Sequence, residues 1–169
     1  MIFGVMSDTH GNRALMHRVA EWLVQEAGAD LIYHLGDDYS DFLELRDSGY
    51  PIRGVPGLWC KEYHQPNVPK VLVEDIEGVT VACAHADQDL RGAAAQARLI
   101  LSGHTHQAAI RRRNKTIRLN PGHLKAELSR GERASFAVVH IDRDKIRLSI
   151  HELDGSVRME KEVKEAIAK

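Results

Sequence analysis

The 169-residue chain carries 23 Lys and Arg against 24 Asp and Glu, a net charge of −1, and 43% hydrophobic residues. That length suits one domain spanning residues 1–169 with a sizeable core, and the balanced charge excludes a general electrostatic pull toward nucleic acid or a membrane surface. Cys60 and Cys83 are too few for a disulfide framework, no apolar run is long enough to cross a bilayer, and the opening MIFGVMSDTHG lacks the basic start and long apolar stretch of a signal peptide, so a cytoplasmic chain is expected.

Ile2 to Met6 is a short apolar run followed by polar residues, which predicts a buried strand ending in a loop. Asn12 caps a helix whose apolar stripe runs through Leu15, Val19, Trp22 and Leu23 to about Glu26, and Gly28 ends it; Trp22 reads as core packing. Leu31 to Leu35 is the next buried strand, closing on Gly36-Asp37-Asp38, and a short amphipathic helix follows around Phe42 to Arg46. Pro51 to Val55 reads as a third strand, and this alternation predicts an α/β start on a parallel sheet. Lys70 to Ile76 and Val79 to Ala84 flank Glu77-Gly78 as a tight hairpin. Ala93 to Ala97 is helix-forming and Arg98 to Leu101 is a strand. Ala108 to Arg112 and Thr116 to Leu119 make a second hairpin around Asn114, and Phe136 to Ile141 and Ile146 to Ile150 make a third around Asp142-Arg143-Asp144. Glu160 to Lys169 reads as a charged helix. Together these predict two packed sheets with helices outside.

Arg111-Arg112-Arg113 fits a solvated edge strand protected by charge, with a phosphate-directed role for one of the arginines left open. Nucleic-acid binding rests on those three residues alone and is not expected. An exposed sheet edge offers a surface for a homodimer.

Ten histidines invite a search for a site, and four short segments carry metal-type side chains just past apolar runs. SDTHG holds Asp8 and His10, HLGDD holds Asp37, AHAD holds His85, and SGHTH holds His104 and His106. Taken singly, Asp8 could cap a helix, Asp37 could serve a turn and His85 could be a core histidine. In an open α/β sheet, however, ligands bind beyond the carboxyl ends of the strands, and all four segments would arrive there together. Asp8-x-His10 and His104-x-His106 share a spacing that puts both side chains on one face of an extended segment. Mixed oxygen and nitrogen donors suit divalent Mn, Fe, Zn or Ni. Two such ions about 3.5–4 Å apart can clamp the attacking and leaving oxygens of a phosphoryl transfer and lower the pKa of a water held between them to near neutrality, which supplies hydroxide as the nucleophile. Asp37 is the natural anionic bridge.

SDTHG, GD, a His before a small residue, GHTH, and Asn120-Pro121-Gly122, in that order from Phe3 to about Gly122, resemble the calcineurin-like metallophosphoesterases, and more closely their compact YfcE-type phosphodiesterase branch. The resemblance implies a four-layer α/β/β/α sandwich of two mixed sheets. It implies a metal-dependent phosphoesterase acting on phosphate-ester substrates with two divalent ions, Mn foremost. Asp8, His10 and His106 would hold one metal, His85 and His104 the other, and Asp37 would bridge. His34 and Asp30 would either orient ligands from behind or simply belong to a packed strand.

The chain departs from the family pattern in one stretch. Where relatives carry Gly-Asn, with the Asn on the second metal, this chain has Gly57-Leu58, and Leu58 has no donor atom. Trp59 or Cys60 takes the following position, and His85 is followed by Ala86-Asp87 rather than Gly-His. Two readings stay open. Water or one of Asp87, Glu62, His64 and Cys60 completes the second site, or that site is impaired and the chain serves as a binding or scaffold module, as a eukaryotic retromer subunit of this fold does. Leu58-Trp59 either packs under the sheet, or Trp59 lines the substrate pocket.

Overall fold

A computed structural model describes residues 1–164. Its first sheet orders β13-β12-β11-β1-β2-β3, with β1 Ile2–Met6, β2 Leu31–His34, β3 Ile52–Gly54, β11 Phe136–Asp142, β12 Lys145–His151 and β13 Val157–Lys164. Strands β1, β2 and β3 run parallel, and β11 joins β1 antiparallel. The second sheet orders β4-β5-β6-β8-β7, with β4 Val71–Ile76, β5 Val79–Ala84, β6 Leu99–Ser102, β7 Ala109–Arg113 and β8 Thr116–Asn120. There β5, β6 and β8 are parallel, with antiparallel β4 and β7 at the edges. Both sheets are mixed, as the family resemblance implies, and the arginine-rich segment is indeed an edge strand.

Alternation builds the layers. Phe3 and Val5 on β1, Leu31 and Tyr33 on β2, Val81 and Cys83 on β5, and Leu99 and Leu101 on β6 point between the sheets into one core. The opposite face of the first sheet packs Met6 and Ile32 against Met16, Val19, Ala20 and Leu23 of helix α1, Arg13–Gln25, and Leu45 of α2, Tyr39–Asp47. Gly4 faces α1 so closely that a Cβ there would lie 2.5 Å from Leu23 Cδ1, so a side chain would lift the helix off the sheet. Asn12 caps α1 by accepting from Leu15 N at 3.2 Å, as expected, and Trp22 packs edge-on to Phe136 with centroids 5.0 Å apart.

The outer face of the second sheet is covered more thinly. Ala82, Ala84 and Ile100 pack under Leu90, Ala94 and Ala97. The covering segments are short 3-10 turns at Asp87–Asp89 and Ala94–Gln96, where the sequence predicts a helix over Ala93 to Ala97. Small alanines on both sides let these turns lie close without a longer helix.

Two local expectations are corrected. Residues 160–164 of the predicted helix Glu160–Lys169 are strand, part of β13; residues 165–169 lie outside the described residues. Helix-favouring Glu and Lys yield there because β13 pairs antiparallel along β12, with a bulge between Ile150 and His151, and delivers Val163 to the core. A two-residue hairpin, β9 Leu128–Ser129 with β10 Glu132–Arg133, gives no sequence signal of its own.

Candidate metal centre

The six residues singled out by spacing lie just beyond the carboxyl ends of four strands: Asp8 and His10 after β1, Asp37 after β2, His85 after β5, and His104 and His106 after β6. Since β1 and β2 are parallel neighbours, as are β5 and β6, each sheet presents two loops side by side. Five of the six, Asp8, His10, Asp37, His104 and His106, have φ between +48° and +85°. The other described non-glycine residues in that region, Glu77, Asn114 and Arg130, sit in hairpin turns. Left-handed backbone costs a side chain on the order of 1 kcal/mol or more, and such strain clusters at ligand clamps and active sites more than elsewhere.

Two glycines let the loops approach. A Cβ on Gly57 would lie 2.3 Å from the Asp37 carbonyl oxygen and 2.5 Å from its Cα, so only glycine fits beneath the Asp37 backbone. A Cβ on Gly103 would meet Ser7 Oγ at 1.9 Å and Asp8 Oδ2 at 2.7 Å.

Donor atoms of Asp8, His10 and His106 lie within 4.8 Å of one another, and so do those of Asp8, Asp37 and His85. Asp8 is common to both groups. Asp37 reaches the first group as well, its Oδ2 2.5 Å from His10 Nδ1. His10 Nε2 is 3.1 Å from His106 Nε2, which lies 3.3 Å from Asp8 Oδ1. His85 Nδ1 lies 2.8 Å from the Leu35 carbonyl and must donate to it, which leaves Nε2 as a bare lone pair, buried and without a partner. The His104 ring stands against His85, centroids 5.1 Å apart and 66° between planes.

Electrostatics suits a cation. Burial pushes the Asp8 carboxyl up, but hydrogen bonds from His106 and Ser7 and the charge of His85 and His106 outweigh it and hold the pKa below the ordinary carboxylate value. Burial pulls the His10 pKa down, helped by the charges of Lys125 and His106 against those of Asp37 and Asp8. An ionised Asp8 beside a His10 ring that burial holds toward its neutral form is a donor pair that a divalent ion completes.

Residues behind the centre hold these side chains. Gly36 N donates to His34 Nδ1 at 3.2 Å, so His34 Nε2 carries the proton and donates to Thr9 Oγ1 at 3.2 Å. Thr9 donates to Asp41 Oδ2 at 2.5 Å, which also accepts from Gly11 N at 3.0 Å. This buried chain fixes the loop between Asp8 and His10, so His34 acts from behind the centre. Asp30 does not: it accepts from Ile2 N at the opposite end of β1. Asn120 Nδ2 donates to Gly103 O at 2.9 Å and Thr105 Oγ1 at 3.0 Å, bracing the backbone on both sides of His104. His123 is buried beside His106, ring centroids 5.3 Å apart; its Nε2 donates to Glu132 O at 3.2 Å, and the Nδ1 atoms of both rings are buried without partners. Sequence reasoning missed Asp41, Thr9 and His123 as contributors. A lone Asp in a helix and a His after Pro-Gly give no local signal, and their partners lie many residues away.

The stretch with Leu58 supplies no replacement ligand among the described residues. Cys60 Sγ donates to Asp37 O rather than joining either group, Asp87 Oδ2 pairs with Arg118 Nη1 at 2.9 Å, Glu62 lies 3.8 Å from Lys61 Nζ, and the His64 ring packs on Tyr63. Trp59 is 87% exposed, so it does not pack under the sheet.

Comparison with known proteins agrees with this geometry. The profile of the calcineurin-like phosphoesterase superfamily domain matches residues 1–144. A "Probable metallophosphoesterase" of Methanothermobacter thermautotrophicus is 31% identical over 166 residues, covering 89% of this chain and 91% of that protein. Among solved structures, the phosphoesterase YfcE from E. coli superimposes with a TM-score of 0.73 at 21% identity, covering 95% of this chain and 98% of that one. Vacuolar Protein Sorting 29 from Cryptosporidium parvum does so with a TM-score of 0.75 at 18% identity, covering 97% and 98%. These two structures share the fold, while the profile and the archaeal relative show the family: this chain belongs to the calcineurin-like phosphoesterase superfamily.

Proposed function

We propose that the chain is a metal-dependent phosphoesterase acting on phosphodiesters, in the cytoplasm, with two divalent ions, Mn foremost. Asp8, His10 and His106 hold one ion, and Asp37, His85 and His104 the other, with Asp37 between them. The observation that carries this reading is the buried, unpartnered Nε2 of His85 set within reach of the Asp8 and Asp37 carboxylates, since a buried lone pair without a donor is costly unless a cation takes it. The ions supply Lewis-acid activation of water and of the phosphoryl oxygens. The protein's own part is orientation. The His34–Thr9–Asp41 chain and Asn120 fix the donor loops, and the charge of Lys125 is felt at His10. The relatives named as phosphoesterases support the same reading.

Manganese-loaded protein is expected to hydrolyse bis(p-nitrophenyl) phosphate, to lose that activity to a chelator and to regain it with Mn. Asp37→Asn and His104→Ala should reduce it to background. Turnover that survives both the chelator and these substitutions would overturn the reading. A scaffold role is the second reading, favoured by Trp59 standing exposed beside donor-less Leu58; a chain that binds no metal and turns over no ester points there.

A further inference from the structure

On the outer face of the second sheet a cleft of about 310 Å³ opens directly beside His104. Its walls include Ser102 at the end of β6, Ala109 and Arg111 on β7, and Arg118 and Asn120 on β8. Arg111 pairs across the ladder with Arg118, and Ala109 with Asn120, so the two arginines stand side by side and the small Ala109 leaves room between them and the His104 loop. Like charges directly opposite on neighbouring strands destabilise a sheet, and two guanidinium groups held there call for an anion. Arg118 Nη1 meets Asp87 Oδ2 at 2.9 Å, and the side chain stays 40% exposed, so the rest of its guanidinium fork is open to a second anion. Arg111 is exposed and has no ion-pair or hydrogen-bond partner among the described residues. Two arginines against one aspartate leave the cleft one positive charge in excess.

The cleft borders the candidate metal centre at one shared residue. His104 lines it, and Asn120, which braces the backbone either side of His104, lies two residues from Arg118, about 7 Å along the strand. Resting on the phosphoesterase reading, we propose that this cleft binds a second phosphate of the substrate, so that the substrate class is a phosphoester whose organic part carries a further phosphate group. Paired forked guanidiniums match the oxygens of a phosphate dianion. A compact cleft on a chain of net charge −1 does not suit a nucleic-acid polymer, which needs an extended basic stripe. Asp87 holds Arg118 in place until the phosphate displaces it.

The test compares thymidine 5′-(p-nitrophenyl phosphate) with the same ester carrying a 3′-phosphate, on manganese-loaded protein. The 3′-phosphorylated ester should show a kcat/KM roughly tenfold or more higher, as expected for charge-assisted hydrogen bonds. Arg111→Gln and Arg118→Gln should each bring the ratio toward one. Arg113→Gln, on the same strand but not lining the cleft, should keep it. A wild-type ratio near one, or a ratio untouched by both cleft substitutions, overturns the proposal. If neither ester is turned over, calorimetry with thymidine 3′,5′-bisphosphate against thymidine 5′-monophosphate decides separately. A bisphosphate preference lost in Arg118→Gln keeps the subsite while the hydrolase reading falls; equal affinities reject the subsite.

Discussion

Acid should destabilise this protein partly through His34, and His34→Gln should remove that part. The ring is fully buried, accepts from Gly36 N through Nδ1 and donates through Nε2 to Thr9, so the neutral imidazole uses both of its nitrogens. Protonation would place a second N–H against the Gly36 N–H in a fully buried site. Burial therefore pulls the pKa from its ordinary 6.5 down to about 4, with the charge of His85 acting the same way and those of Asp41 and Asp8 opposing. Between those two values the unfolded chain binds more protons than the folded one, so stability falls as the pH drops through that window and is fully present above it. At 1.36 kcal/mol per unit, the full effect is about 3 kcal/mol, most of which is lost by pH 4.5. Urea unfolding at pH 7.5, 6.0 and 4.5 measures it. Gln keeps hydrogen-bonding capacity but does not titrate, so wild type should lose about 2–3 kcal/mol more than the variant between the two extremes. A stability gap between the two proteins that stays constant across those pH values would refute the reasoning.

Gly57→Ala should cost about 1–3 kcal/mol in urea unfolding and weaken manganese binding, because the added Cβ collides with Asp37 backbone atoms that have nowhere to move. His123→Phe, which keeps ring volume but removes the bare Nδ1 beside His106, should lower manganese affinity roughly tenfold in a competition titration against a chelating dye while changing stability by only about 1 kcal/mol.

The strand-end residues of the site were legible because each follows an apolar run that could only be a buried strand, and parallel neighbours bring such ends together. Ile2–Met6 leading to Asp8, and Leu99–Ser102 leading to His104, are examples. What holds those residues was not legible. Thr9 meets Asp41 32 positions away, and nothing local to either says so. The left-handed backbone at Asp8, His10, Asp37, His104 and His106 leaves no mark in residue type beyond the tolerance of Asp and His for it. Glu and Lys favour helices, so residues 160–164 read as helix in the sequence, while the partner that overrides them, β12, lies upstream across a turn. Residue type alone does not say that Trp59 stands in solvent rather than under the sheet.

The central claim is that Asp8, His10, Asp37, His85, His104 and His106 form a centre for two divalent ions despite Leu58. Elemental analysis of protein purified after manganese supplementation, beside Asp37→Asn, tests it most directly. Two ions per chain, lost in the variant, is the predicted result. One ion or none in the wild-type chain would contradict the account and place the failure at the position where Leu58 offers no donor.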